Sequence, residues 1–240
     1  ESMRLAVHTA VAFGLAAGIF LTVVGTALSP QILIWMSTPP NVMKESVAYL
    51  QVYFAGSIGF VMYNVFVGIL QAVGDSRHPL YYLIFSSIVN LVLDTVFIRY
   101  FHTGVGGAAL ATIISQFASA LLCLFQLMTT KESFRIRIRE VRFNRAIVGQ
   151  ILHIGLPSGI QNSIIAFANV IVQSYVNTFG EMAMAGFGAF SKIEGFGFLP
   201  ITSFTMALTT FISQNLGARQ YDRTRKGTYF GILASVLLSE

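Results

Sequence analysis

Asn90 and Asp94 are the residues whose types and spacing point most directly to chemistry. They lie four apart in the apolar run from Leu80 to Ile98, LYYLIFSSIVNLVLDTVFI, which follows the loop QAVGDSRHP from Gln71 to Pro79. On a helix, side chains four apart share a face. A carboxylate at hydrocarbon depth costs about 2.5 to 3.5 kcal/mol on insertion scales, so it calls for a partner or a task. Ser87 extends the pair to a stripe at i, i+3 and i+7. The next apolar segment carries Thr112, Ser115, Gln116 and Ser119 at matching spacing. Two such helices, joined by the short loop from Arg99 to Gly107, should pack side by side and face their stripes at each other or at a shared cavity. Together they offer a carboxylate, an amide carbonyl and a hydroxyl, oxygen donors that suit a hard cation. They equally suit a proton, because burial favours the uncharged form of a carboxyl group. For Ser87, Ser115 and Ser119 the plainer expectation is hydrogen bonding that holds helices together, at about 0.6 kcal/mol per bond.

Further along, Gln161, Asn162, Asn169, Gln173 and Asn177 mark one apolar segment, the last three at i, i+4 and i+8. Uncharged amides of this kind either face a wet cavity and meet varied ligands or join neighbouring helices. Lys192 and Glu194 follow in FSKIEGFGF. Residues two apart do not face each other on a helix, so each is expected to seek its own partner. A structural ion pair, or placement near an interface, competes with a functional role for them. Met62, Met182, Met184, Met206 and the many Phe are expected in the core or against lipid. His8, His78, His102 and His153 fall near segment ends, where solvated or interfacial histidines are expected. No GxxxxGK[ST], no Cys/His metal spacing and no G-x-S-x-G occurs.

These residues need elements to hold them, and composition says which. The 240 residues are 55% hydrophobic and 10% charged, with mean hydropathy +0.70. That is too apolar for a soluble domain and indicates a polytopic membrane protein. The 21 Gly fit this class, since small residues let membrane helices approach closely. Cys123 is the only cysteine, which excludes an intrachain disulfide. With about 20 apolar residues per span, seven segments emerge: Leu5 to Met36, Val42 to Leu70, Leu80 to Ile98, Ala108 to Met128, Ile147 to Val176, Met182 to Ser213, and Thr228 onward. Pro30, Gly155-Leu156-Pro157 and Pro200 are the expected places for bends. The loop from Thr129 to Ala146, TTKESFRIRIREVRFNRA, holds Lys131, Arg135, Arg137, Arg139, Arg142 and Arg145. Placing it in the cytoplasm puts Arg4, Arg77, Arg219, Arg223, Arg225 and Lys226 on the same side, twelve of the fifteen positive residues. Lys44 and Arg99 fall opposite. This bias fixes orientation, and it argues against reading the net charge of +5 as a nucleic-acid surface. The alternation in FRIRIREVRF fits a basic strand or an amphipathic interfacial helix, but a solvated linker near anionic lipid is the simplest expectation.

The opening ESMRL resembles neither a methionine start nor a signal peptide, and Ser239-Glu240 fall inside an apolar run. A piece of a longer protein is therefore expected. RLAVHTAVAFG from Arg4 can be laid against RKGTYFGILAS from Arg225, a hint of two similar halves.

Taken in order, QAVGDSRHPLYYLIFSSIVNLVLDTVFI, GVGGAALATIISQ, GLPSGIQNS and SKIEGFGFLPITSFTMALTTFISQNLGARQYDR resemble the multidrug and toxic compound extrusion (MATE) family. The resemblance covers nearly the whole chain. It implies an all-α fold, part of a twelve-helix, two-lobe transporter from about the third to the ninth helix. Residues 1–128 would end the N-terminal lobe, 129–146 would be a cytoplasmic inter-lobe loop, and 147–240 would begin the C-terminal lobe. In the prokaryotic branch with an N-lobe cation site, the fifth-helix N-x-x-x-D falls on Asn90 and Asp94 and the sixth-helix threonine on Thr112. A first-helix aspartate would lie before residue 1. The seventh-helix glutamate of the other bacterial branch has no counterpart in GLPSGIQNSIIAFANV.

The implied activity is antiport of organic cationic or amphipathic compounds against Na+ or H+ across a bacterial inner (plasma) membrane. It needs no cofactor beyond the coupling ion, no nucleic acid and no obligate protein partner. Asn162, Asn169, Gln173, Lys192 and Glu194 are the cavity candidates. A lipid-linked oligosaccharide or peptidoglycan-precursor flippase of the same superfamily would call for cations inside the cavity, where only Lys192 is available. A membrane-embedded enzyme would call for paired carboxylates with a metal motif.

Overall fold

Hydrocarbon offers no hydrogen-bond partner to a backbone, so each apolar segment must bond within itself as a helix. The computed structural model describes residues 2–35 and 40–239. Its elements are α1 (Ser2–Trp35), α2 (Pro40–Ala55), α3 (Ser57–Ala72), α4 (Arg77–Arg99), α5 (Gly104–Thr129), a 3₁₀ turn (Ile138–Glu140), α6 (Arg145–Asn177), α7 (Glu181–Gly217) and α8 (Tyr221–Ser239). Among the described residues there is no strand. The helices α1, α4, α5, α6 and α7 contain stretches long and apolar enough to cross a membrane. At 34 residues α1 is about 51 Å long, against roughly 30 Å of hydrocarbon. By the same test α8 does not qualify: its opening, Tyr221 to Lys226, carries Asp222, Arg223, Arg225 and Lys226. The first expected span ends at Met36, which lies outside the described residues.

The expected single span from Val42 to Leu70 is two helices bent by 42° at Gly56. Pro30, Pro157 and Pro200, the expected bends, each sit inside a helix assigned without a break. At Gly56 the break coincides with close packing. The Gly56 N–H is shared between the carbonyls of Val52 at 3.3 Å and Tyr53 at 3.2 Å. A Cβ on Gly56 would lie 2.3 Å from the Ile113 side chain, and one on Gly59 would lie 2.9 Å from the Phe117 ring. The junction therefore approaches α5 more closely than any side chain permits.

The chain divides into two compact units, Glu1–Ile151 and Leu152–Glu240. In the first, α3 packs against α1 and α5, α2 against the same two helices, and α4 against α5. The core gathers Val7, Val11, Phe66, Leu70, Cys123 and Leu127. The helix α3 closes on Gly74 at φ +87°. The Asp75 N–H bonds the Leu70 carbonyl and the Gly74 N–H bonds that of Gln71, each at 2.9 Å, a closure that satisfies otherwise orphaned carbonyls. Asp75 then accepts the His78 N–H at 3.2 Å at the start of α4.

The basic loop is neither strand, helix nor solvated linker. It is a strap docked on the ends of α1 and α5. Ile136 is 2% exposed inside the core, with Phe134 and Val141 packed beside it. The Ile136 N–H bonds the Leu127 carbonyl at 2.9 Å, and Arg135 Nε bonds that of Met128 at 2.8 Å. The alternation holds through Ile136, then the 3₁₀ turn leaves Ile138 67% exposed. The Arg4 guanidinium grips the Glu140 carboxylate with two of its three nitrogens, Nη2 to Oε1 and Nε to Oε2, the latter at 2.6 Å, and Arg137 reaches the same group at 3.3 Å. His8 is 2% exposed rather than solvated. Its Nε2 accepts the Arg137 N–H at 3.0 Å, so Nδ1 carries the ring proton and donates to the Arg4 carbonyl at 2.6 Å.

In the second unit α7 packs on α8. A Cβ at Gly227 would meet Phe211 at 2.4 Å, and one at Gly231 would meet Leu208 at 2.3 Å. Leading into α6, Asn144 Oδ1 accepts the N–H groups of Ala146 at 3.1 Å and Ile147 at 3.2 Å as an N-cap.

Two outcomes follow from this packing. Gly56→Leu should lower stability by about 1–3 kcal/mol through overpacking, and adding Ile113→Ala should recover part of the loss; thermal denaturation of the intact protein in detergent measures both. The Arg4 hydrogen bond holds the Glu140 carboxyl below its ordinary range. An acid depressed in this way stabilises the docked form above its ordinary pKa, and the contribution is lost as pH falls through the lowered value. A spin label at position 133 should therefore stay immobile at neutral pH and loosen only in acid below the usual carboxylate range. Glu140→Gln should loosen it already at pH 7.

Candidate functional site

The polar stripes of α4 and α5 meet. Ser119 Oγ donates to the Tyr82 carbonyl at 3.3 Å, and Asn90 Nδ2 donates to Thr112 Oγ1 at 3.5 Å. A Cβ on Gly107 would lie 3.0 Å from Phe97 Cβ. The pairs 82/119, 90/112 and 97/107 step in opposite directions along the two helices, so the packing is antiparallel. Gly107 lets the helices close up where the connection is shortest. Thr112 Oγ1 also donates to the Ala108 carbonyl at 3.0 Å, so it accepts from Asn90. At 3.5 Å that interhelical bond is long and weak.

Asp94 lies one turn beyond Asn90 on α4. The residue is half-buried, its Oδ1 is wholly buried, and that atom has no hydrogen-bond partner among the described residues. Gln116, one turn from Thr112 on α5, leaves its Oε1 buried and without a partner in the same way. Two unsatisfied oxygens thus flank the Asn90–Thr112 bond, one turn to either side. The serines of the stripes have their bonds: Ser86 and Ser87 to the Leu83 carbonyl at 3.0 and 2.8 Å, Ser115 to that of Thr112 at 2.8 Å. These serines serve the backbone.

Sequence reading set Gln116 among the stripe residues without singling it out. Its i, i+4 relation to Thr112 is the signal that marks it. Thr26 gave no such signal. Its Oγ1 is buried on α1 without a partner among the described residues, one turn from the Thr22–Ser57 hydroxyl pair, which is 3.0 Å apart. Among the described residues no group of three or more His, Cys, Asp or Glu side chains comes together.

Asn90, Asp94 and Thr112 belong to the first unit, and Asn162, Asn169, Gln173, Lys192 and Glu194 to the second. On α6, Asn162 and Asn169 are exposed and Gln173 is half-buried; the Asn177 side chain lies outside the described residues. Lys192 and Glu194 are both exposed on α7, and neither forms an ion pair among the described residues.

Comparison with known proteins gives this geometry a family. The MatE family profile matches residues 1–96 and 157–239. "Probable multidrug resistance protein YoeA" of Bacillus subtilis is 28% identical over 246 residues, covering 99% of this chain and 53% of that protein. "Probable multidrug resistance protein YpnP" of the same organism is 32% identical over 194 residues, covering 80% and 43%. A solved structure described as the outward-facing conformation of a multidrug resistance MATE family transporter of the MOP superfamily superposes with TM-score 0.87 at 26% identity, covering 98% of this chain and 52% of that one. The chain spans about half the length of the curated relatives it matches. The order of motifs, the all-helical membrane fold and the family match agree, and the chain belongs to the MatE family of transporters.

Proposed function

We propose that the transporter containing this chain is a secondary antiporter. It exports organic cationic or amphipathic compounds in exchange for Na+ or H+, by alternating access across a bacterial plasma membrane. The observation that carries this reading is Asp94 Oδ1, buried and unpartnered one turn from the Asn90–Thr112 bond. An acceptor left in that state costs about 1–3 kcal/mol, more when charged. A bound Na+ or proton would relieve it. In this reading Asp94 supplies the charge, while Asn90 and Thr112 supply neutral oxygens, and the ion's arrival displaces the weak amide–hydroxyl bond.

The coupling follows from energetics. A ligand shifts a conformational equilibrium only by its differential affinity for the two states. Cation and substrate must therefore favour different conformations, and Asp94 would discriminate between them through the oxygens its surroundings bring within reach. The amides Asn162, Asn169 and Gln173, with Lys192 and Glu194, would line the path for substrate. The names of the relatives support the substrate class. The cytoplasmic placement of the strap is supported by its six positive residues and by its grip on Arg4, which sets the start of α1 on the same side.

In the full-length protein, Asp94→Asn should abolish efflux of a fluorescent organic cation driven by either gradient, with membrane insertion unchanged. Thr112→Val should weaken cation coupling by about fivefold, the value of one neutral hydrogen bond. Efflux under separately imposed Na+ and pH gradients identifies the ion, and undiminished efflux in Asp94→Asn overturns the assignment.

A further inference from the structure

Docking the strap on α1 creates a cavity of about 430 Å³, lined by Arg4, Leu5, His8, Arg139, Glu140 and Arg142. Three guanidinium groups face one carboxylate there, and that carboxylate is already engaged by Arg4 and by Arg137. Arg139 and Arg142 are exposed and have no acidic partner among the described residues. The two ring nitrogens of His8 are committed to backbone groups, with the Glu140 carboxylate 3.6 Å from Nε2. The cavity therefore carries an excess of two positive charges, on guanidinium groups whose planar fork matches a phosphate. Ile138 at 67% and Phe143 at 59% exposure stand beside these arginines in sequence. Large exposed apolar side chains next to arginines without acidic partners, at the end of a membrane helix, suit the boundary between headgroups and acyl chains.

We propose that this cavity binds the phosphate of an anionic phospholipid headgroup, with Arg139 and Arg142 as its ligands and Ile138 and Phe143 seated among the acyl chains. The ligand chemistry is a phosphate ester, and the exposed apolar pair assigns it to a lipid rather than to a soluble anion. The site is separate from the Asp94 region and does not depend on the coupling mechanism.

The test is native mass spectrometry of the intact transporter in mild detergent, with phosphatidylglycerol and phosphatidylcholine added in equal amounts. The wild-type protein should retain phosphatidylglycerol selectively. Arg139→Gln with Arg142→Gln should reduce that selectivity roughly tenfold. Arg223→Gln with Arg225→Gln, which removes two cations expected on the same side, should change it by less than about twofold. Arg139→Lys with Arg142→Lys keeps the charge, loses the fork, and should fall between. Equal losses from the two glutamine pairs would mean diffuse charge and overturn the site. Displacement of phosphatidylglycerol by equimolar glycerol 3-phosphate would overturn the lipid assignment. The displacement arm needs only the wild-type protein, so it decides even where a double variant is not recovered folded.

Discussion

A bilayer interior supplies no hydrogen-bond partner, and every polar group placed there must find one within the protein. Hydroxyl groups along these helices meet the demand locally, as when Thr95 donates to the Leu91 carbonyl at 2.8 Å or Ser29 to that of Gly25 at 2.6 Å. Against that background an unsatisfied oxygen is informative. Thr26 Oγ1, Asp94 Oδ1 and Gln116 Oε1 are such atoms. Asp94 alone among them can carry a full charge, and it lies beside an interhelical bond weak enough to yield. The antiparallel register of α4 and α5, marked by the Asn90–Thr112 and Ser119–Tyr82 bonds, gives that one atom its surroundings.

Much of this was legible in the residues. The polar stripes on two neighbouring apolar segments predicted that α4 and α5 pack side by side with their stripes toward each other or a shared cavity, because a short connection leaves antiparallel helices little choice. Asn90 and Thr112 were found together as the spacing required. The break at Gly56 was not legible, since the neighbour that crowds this junction is Ile113, more than fifty residues away. Pro30, Pro157 and Pro200, by contrast, each lie inside a continuous helix. The docked strap was hidden for a related reason. FRIRIREVRF alternates as a strand would, but the face it buries is chosen by Val7, Leu70 and Leu127, and the turn at Ile138 ends the alternation. The burial of His8 depends on that same strap and could not be read from a position near a helix end.

The arginines of the strap divide by what they touch. Arg135 and Arg137 serve the fold, the first through a helix-end carbonyl and the second through Glu140 and its own N–H to His8. Arg139 and Arg142 do not. A count of positive charge treats all four alike, and it reports which side of the membrane they occupy. Partners separate the structural from the available.

The strap also sets a length. From Thr130 to Asn144 an extended chain would reach about 50 Å. Most of that reach is withdrawn by docking: the Arg142 carbonyl accepts from Thr9 at 3.4 Å, and Asn144 already caps α6. Phe143 is the residue left between those two anchor points. The strap therefore lies docked well within its extended reach, and Ile136 and the Arg4–Glu140 grip are the contacts that would have to open before it could lengthen.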